Sequence, residues 1–99
     1  MATGNEPIQR QVGETKGRYF VVVEGVEAEL TYSRVSDTMI IIDHTEVPDA
    51  LRGQKVGVRL VQRAVEDARA EGVSIIPLCP FAKAQIGRHR EWQDVLAGD

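Results

Sequence analysis

The chain has one cysteine, Cys79, so it can form no internal disulfide, and a lone thiol suits a reducing compartment. Its aromatic residues are only Tyr19, Phe20, Tyr32, Phe81 and Trp92, and they do not recur in the pattern of a base-stacking platform. An excess of positive charge is missing too: the formal net charge is −3, with Lys and Arg interspersed among Asp and Glu. These two scarcities disfavour nucleic acid as a partner. The apolar runs, such as residues 19–23 and 39–42, are far short of a membrane span, so no membrane partner is expected. The N-terminal Met-Ala-Thr-Gly-Asn-Glu-Pro lacks the basic-then-apolar order of a secretory signal, and a cytoplasmic location is expected. His44, Cys79 and His89 have no metal-ligand spacing, so no metal site is expected.

What is present is an ordinary globular composition, 42% hydrophobic and 27% charged over 99 residues. That length suits a single domain over residues 1–99, able to bury about two-thirds of its unfolded surface. Residues 1–7 are small and polar and are expected to be mobile. A weak strand is expected near 8–12, followed by a β-rich run at 19–23 and an alternating run at 28–32, with a Gly-containing hairpin connector at 24–27. After a turn at 33–38, the apolar run opening residues 39–44 predicts a strand buried on both faces at the centre of a sheet. Three strands in quick succession imply an antiparallel meander.

Pro48 ends pairing, and from 55 to 71 the apolar positions Val56, Leu60, Val61, Ala64, Val65 and Ala68 recur at helical spacing. Gly72 stops that helix, and residues 73–76 form a short strand that the crossover makes parallel to 39–44. Pro77 and Pro80 interrupt pairing after it. A short helix is expected at 81–88, packing through Phe81, Ala82, Ala84 and Ile86, and Trp92, Val95 and Leu96 dock a last turn.

The start of the helix after Pro48 is unusual. Capping side chains are absent, and Arg52, Gly53, Gln54, Lys55 and Gly57 stand there instead. A helix start carries unpartnered N–H groups and partial positive charge, so added cations are unfavourable unless an anion joins them. This composition points to a phosphate-bearing ligand, although solvated cations and turn glycines also account for it. The same crossover brings the helix start beside the ends of the two parallel strands, a favoured ligand position.

The run 44–57 resembles the acyl-CoA-binding motif of the GNAT superfamily of N-acetyltransferases. His-Thr-Glu-Val-Pro-x-x-Leu-Arg-Gly at 44–53, Ile-Pro-Leu-Cys-Pro-Phe at 76–81 and Arg-His-x-Glu-Trp at 88–92 further resemble its minimal GNAT-like (YjdJ-type) subgroup, over residues 18–96. The resemblance implies an α+β GNAT-like fold: an antiparallel meander extended by a β-α-β unit with splayed strands and a truncated C-terminus. It implies acetyl-CoA as co-substrate, bound by the backbone of Thr45, Glu46 and Val47 along the pantetheine arm. Arg52, Gly53, Gln54, Lys55, Val56, Gly57 and Val58 would hold the pyrophosphate end, and Pro80 and Phe81 complete the binding set. Lys55 departs from the pattern, which has glycine there. It either crowds the pyrophosphate or reaches a phosphate with its ammonium.

Acyl transfer needs an oxyanion donor and a base for the amine. The Val47 N–H is a candidate donor. His44 and Glu46, which share a strand face that Thr45 does not, are candidate bases or solvated surface groups. Cys79 is a candidate acyl-carrying nucleophile or a small packing residue. The resemblance thus implies a small acetyl-CoA-dependent N-acetyltransferase acting on an unidentified amine, with a protein or peptide amine as one candidate. The two strands that complete the acceptor site of fuller relatives have no counterpart after residue 88, and no tyrosine follows Tyr32. The alternative is therefore a non-catalytic acyl-CoA-binding or sensing module acting through a protein partner.

Overall fold

The computed structural model describes residues 6–97; of the stretch expected to be mobile, residues 1–5 lie outside the described residues. Strands β1 (Gln9–Val12), β2 (Lys16–Val23), β3 (Val26–Ser36), β4 (Met39–Glu46) and β5 (Ser74–Pro77) form one sheet in chain order. The first four are antiparallel neighbours, and β4 and β5 are parallel. Helix α1 (Val56–Glu71) makes the crossover between them, and α2 (Pro80–Arg88) and a 3-10 segment, Arg90–Val95, follow. This is the expected α+β meander extended by one β-α-β unit. Among the described residues no helix is long and apolar enough to cross a membrane.

Alternation builds the core. Tyr19, Val21 and Val23 of β2 and Ala28, Leu30 and Tyr32 of β3 are all buried, and the Val56, Leu60, Val61, Ala64, Val65 and Ala68 stripe of α1 is buried with them. Each fully buried Val or Leu contributes about 1.5–3 kcal/mol relative to exposure, so this stripe holds α1 in place despite its uncapped start. Between β2 and β3, Glu24 and Gly25 both have positive φ (51° and 81°), as a two-residue type I′ hairpin turn requires. The C-terminal segment is held from two sides. Arg69 of α1 bonds both Asp94 oxygens (2.6 and 2.9 Å) and the Glu91 carbonyl, while the His89 ring stacks on Trp92 at 3.8 Å. Leu96 pairs with Ile75, and the Ala97 N–H bonds the Ile75 carbonyl, covering part of the outer edge of β5.

Four expectations need correction. Strand β4 is not central; it adjoins the edge strand β5, and only Ile40 and Ile42 are buried, while Met39 and Ile41 are half-buried. Only alternate positions of the run face the helix layer. The third strand runs to Ser36, which shortens the expected turn at 33–38. Pro77 closes β5 opposite Ile42 instead of lying beyond it, and Pro80 opens α2, where a missing N–H costs nothing. In α2 the buried positions are Ala82, Gln85 and Ile86, whereas Phe81 and Ala84 face outward on so short a helix.

Candidate functional site

The site begins where the parallel strands part. The Ile42 carbonyl accepts N–H bonds from both Leu78 and Cys79 at 3.1 Å, which turns the chain out of the sheet after Pro77. Strand β4 continues to Glu46, so its last residues, from Asp43 on, have no strand partner on the β5 side. A groove of about 590 Å³ lies there. Thr45 and Val47 line it from β4 and just beyond; Leu51, Arg52, Gly53 and Lys55 line it from the loop, Val56, Gly57 and Val58 from the first turn of α1, and Phe81 from α2. The walls are narrow at Gly57: a Cβ there would stand 2.7 Å from the Phe81 ring and 3.2 Å from a Val47 methyl.

One end of the groove is electropositive. The first helical bond of α1 runs from the Arg59 N–H to the Lys55 carbonyl, leaving the N–H groups of Val56, Gly57 and Val58 without helical partners. No side chain caps this end and no acid lies in the first turn. Gly53 and Lys55 both have positive φ (85° and 60°), which coils the loop back on itself before the helix. Asp49 already holds the Arg52 guanidinium at 2.8 Å, on the surface. The Lys55 ammonium has no hydrogen bond or ion pair among the described residues.

A β-bulge orients the other end. Tyr32 pairs with Ile42 but Thr31 pairs with His44, so Asp43 is an extra residue in β4. Asp43 accepts the Ser33 hydroxyl at 2.6 Å on the outer side of the sheet. Its insertion turns Thr45 to the side of Leu30, its buried partner in β3, and toward the groove. His44 and Glu46 are turned to the opposite, exposed face, with His44 Nε2 4.0 Å from Glu46 Oε1. They do share a face that excludes Thr45, but it is not the face that Ile42 occupies.

Thr45 meets Cys79 across the gap between the strands, Oγ1 to Sγ at 3.5 Å. Cys79 is buried and caps the start of α2. Burial pushes its thiol up, but the Thr45 hydroxyl and the backbone N–H groups of Ala82, Phe81 and Thr45 outweigh that, leaving the thiol below its ordinary range.

Of the residues singled out from sequence, the structure gathers Thr45, Val47, Arg52, Gly53, Lys55, Val56, Gly57, Val58 and Phe81 around one groove, with Cys79 behind Thr45. Gln54 and Pro80 are exposed and outside the groove lining, and His44 and Glu46 stand on the outer face. Sequence reasoning missed Leu51 as a groove wall. Its signal was its place in the Pro-x-x-Leu-Arg run, where a 3-10 turn at Asp49–Leu51 directs it inward.

Comparison with known proteins bears on the family and the fold. The model of a family described as GCN5-related N-acetyl-transferase matches residues 18–95. Among solved structures, the NMR solution structure of a GCN5-like protein from Staphylococcus aureus is similar. It shares 37% sequence identity over 98% of this chain and 93% of that one, with a TM-score of 0.72. No curated protein matches.

Proposed function

The chain belongs to the GCN5-related N-acetyltransferase family, and on that premise we propose that its groove binds acetyl-CoA and transfers the acetyl group to an amine. The observation that carries this reading is the continuity of two features in one groove: an uncapped, acid-free helix start and a strand edge without a partner. The first suits phosphate. The second suits an extended arm bearing amides, bonded as an added strand by the backbone at residues 45–47. The apolar walls at Val47, Leu51, Val56, Val58 and Phe81 suit the methylene stretches between.

Placed this way, the thioester lies at the Thr45–Cys79 end. Bound acetyl-CoA supplies an activated acyl group. The lowered thiol favours a two-step route. The Cys79 thiolate, its proton given to water, attacks the thioester carbonyl carbon; a new C–S bond forms, the bond to the coenzyme sulfur breaks, and that sulfur leaves as a thiolate that takes a proton from water. The acceptor nitrogen then attacks acetyl-Cys79; the C–N bond forms, the C–S bond breaks, and the Cys79 thiolate returns. The amine proton passes through water to His44 or Glu46 on the outer face, the side from which the acceptor approaches. The Val47 N–H donates to the oxyanion in both steps.

The test is thermal unfolding with acetyl-CoA, free CoA and adenosine diphosphate, followed by intact mass analysis. At about 100 times its dissociation constant a ligand stabilises by about 2.7 kcal/mol, a shift of several degrees for a domain this size. Acetyl-CoA should leave wild-type protein one acetyl group heavier at Cys79, and Cys79→Ala should bind without gaining it. Stabilisation with no acetyl gain and no acetylation of any amine would leave a binding module and refute the transfer chemistry.

A further inference from the structure

We infer that the outer side of the sheet carries a docking track for an extended polypeptide, which presents a mid-chain lysine amine at the gap between β4 and β5. The inference rests on the acyl-transfer reading and adds to it the class of acceptor. The helices leave this side bare, with Val22, Asp43, His44 and Glu46 exposed on it. Two shallow troughs lie there. One, of about 580 Å³, crosses the bare face from Lys16 and Arg18 of β2, past Thr31 of β3, to Asp43 of β4. The other, of about 730 Å³, follows the edge of β5 from Met39 through Ile76 to Pro77, with Lys83, Gln93 and Leu96 opposite. Neither shares a lining residue with the acyl-CoA groove. Their near ends meet at the gap, because Pro77 is the last β5 residue paired with β4, opposite Ile42, and Asp43 follows Ile42. A chain laid through both therefore crosses the gap in mid-course. Five strands span roughly 19 Å, a distance that roughly six extended residues cover.

Charge alternates along this track. Asp43 and Glu46 stand at the gap, and no Lys or Arg pairs with either among the described residues: Asp43 accepts the Ser33 hydroxyl, and Glu46 has His44 at 4.0 Å. Lys16 and Lys83, one in each trough, are exposed and have no ion pair among the described residues. A partner with a central cation and an acid toward each end matches that order. The half-buried Met39 and Ile76 suit an apolar side chain next to the cation. Lysine supplies cation and nucleophile in one side chain, on a four-carbon stem long enough to enter the gap. Its nitrogen is then the acceptor nitrogen of the two-step route.

The experiment uses a fluorescein-labelled nonapeptide with a central lysine, leucine on either side of it and a glutamate near each end. Its comparisons are a copy with arginines in place of the glutamates, and spermidine. Binding is read by anisotropy with CoA present, acetylation by mass, and the unfolding temperature of each variant is recorded. Wild type should bind and acetylate the glutamate peptide in preference to both comparisons. Lys16→Glu and Lys83→Glu should each raise KM for the glutamate peptide about three- to tenfold, with kcat unchanged, and lower it for the arginine copy. Spermidine turnover should not move. That exchange of preference cannot come from damage to the fold. Equal KM values for the two peptides, or spermidine used as well as either, overturns the track and leaves the acyl-CoA reading intact. So does the absence of peptide binding in a protein that acetyl-CoA stabilises. Charge-dependent peptide binding with no acetylation in any arm supports the track and refutes the transfer reading.

Discussion

Asp67 of α1 accepts the Tyr19 hydroxyl of β2 at 2.8 Å, and replacing it with alanine isolates a hydroxyl on a residue only 1% exposed. The other groups around that carboxylate keep partners. Arg10 retains Glu71 at 2.6 Å, and Arg63 retains the Ile8 carbonyl at 2.9 Å. The cost of Asp67→Ala is therefore chiefly that of an unsatisfied buried donor, about 2–3 kcal/mol. For a domain of this size that lowers the unfolding temperature by roughly 10–20 °C. Tyr19→Phe removes the same bond but leaves Asp67 with Arg10 and Arg63, at 3.3 and 3.2 Å, and costs about 1–2 kcal/mol. Because both changes delete one bond, the double variant should be no less stable than Asp67→Ala alone by more than a few tenths of a kcal/mol. Urea unfolding of the four proteins measures this coupling directly. Strict additivity of the two single changes would refute the claim that this bond fastens α1 to the sheet. The claim bears on function because the first turn of the same helix lines the groove.

Two further outcomes follow from shifted ionisations. Burial, then the bond to Asp67, holds the Tyr19 hydroxyl well above the usual tyrosine range, so the folded state keeps its proton. That contribution is intact below pH about 10 and is lost as pH rises beyond it; urea midpoints should fall more steeply there for wild type than for Tyr19→Phe, and parallel curves would be contrary evidence. At Cys79, Thr45→Val removes one group that lowers the thiol, so the pH midpoint of iodoacetamide alkylation should rise, with acetyl-CoA protecting both proteins. An unmoved midpoint would assign the lowering to the backbone N–H groups alone.

The parts of the fold legible in the sequence were those governed by local periodicity. The i, i+4 recurrence from Val56 to Ala68 located α1 and its buried face, because one stripe must pack on the sheet whatever the partner. The β-branched runs located β2 and β4, and the crossover rule made β4 and β5 parallel. Sheet position was not legible: the apolar run at 39–42 reads the same in a central strand and in one beside a short edge strand. Likewise the exposed Phe81 reads as a core residue by type, yet it forms a groove wall beside Gly57 because α2 turns its other side inward.

The least legible feature is the one that arranges the site. Plain alternation along β4 would have placed His44 and Glu46 on the face of Ile42, beneath the helices, and Thr45 outside. The bulge at Asp43 exchanges them. Nothing in Asp-His-Thr marks an inserted residue, since a bulge is defined by how many residues the neighbouring strand supplies, which depends on the pairing of Thr31 and Tyr32. Its consequence is chemical. The residue that meets the cysteine across the strand gap is a hydroxyl, uncharged at any working pH, while the titratable His44 and Glu46 are held in solvent on the opposite face. Thr45 is neutral, so the charge the groove carries comes from its helix-start end, where Arg52 and Lys55 stand beside the first N–H groups of α1.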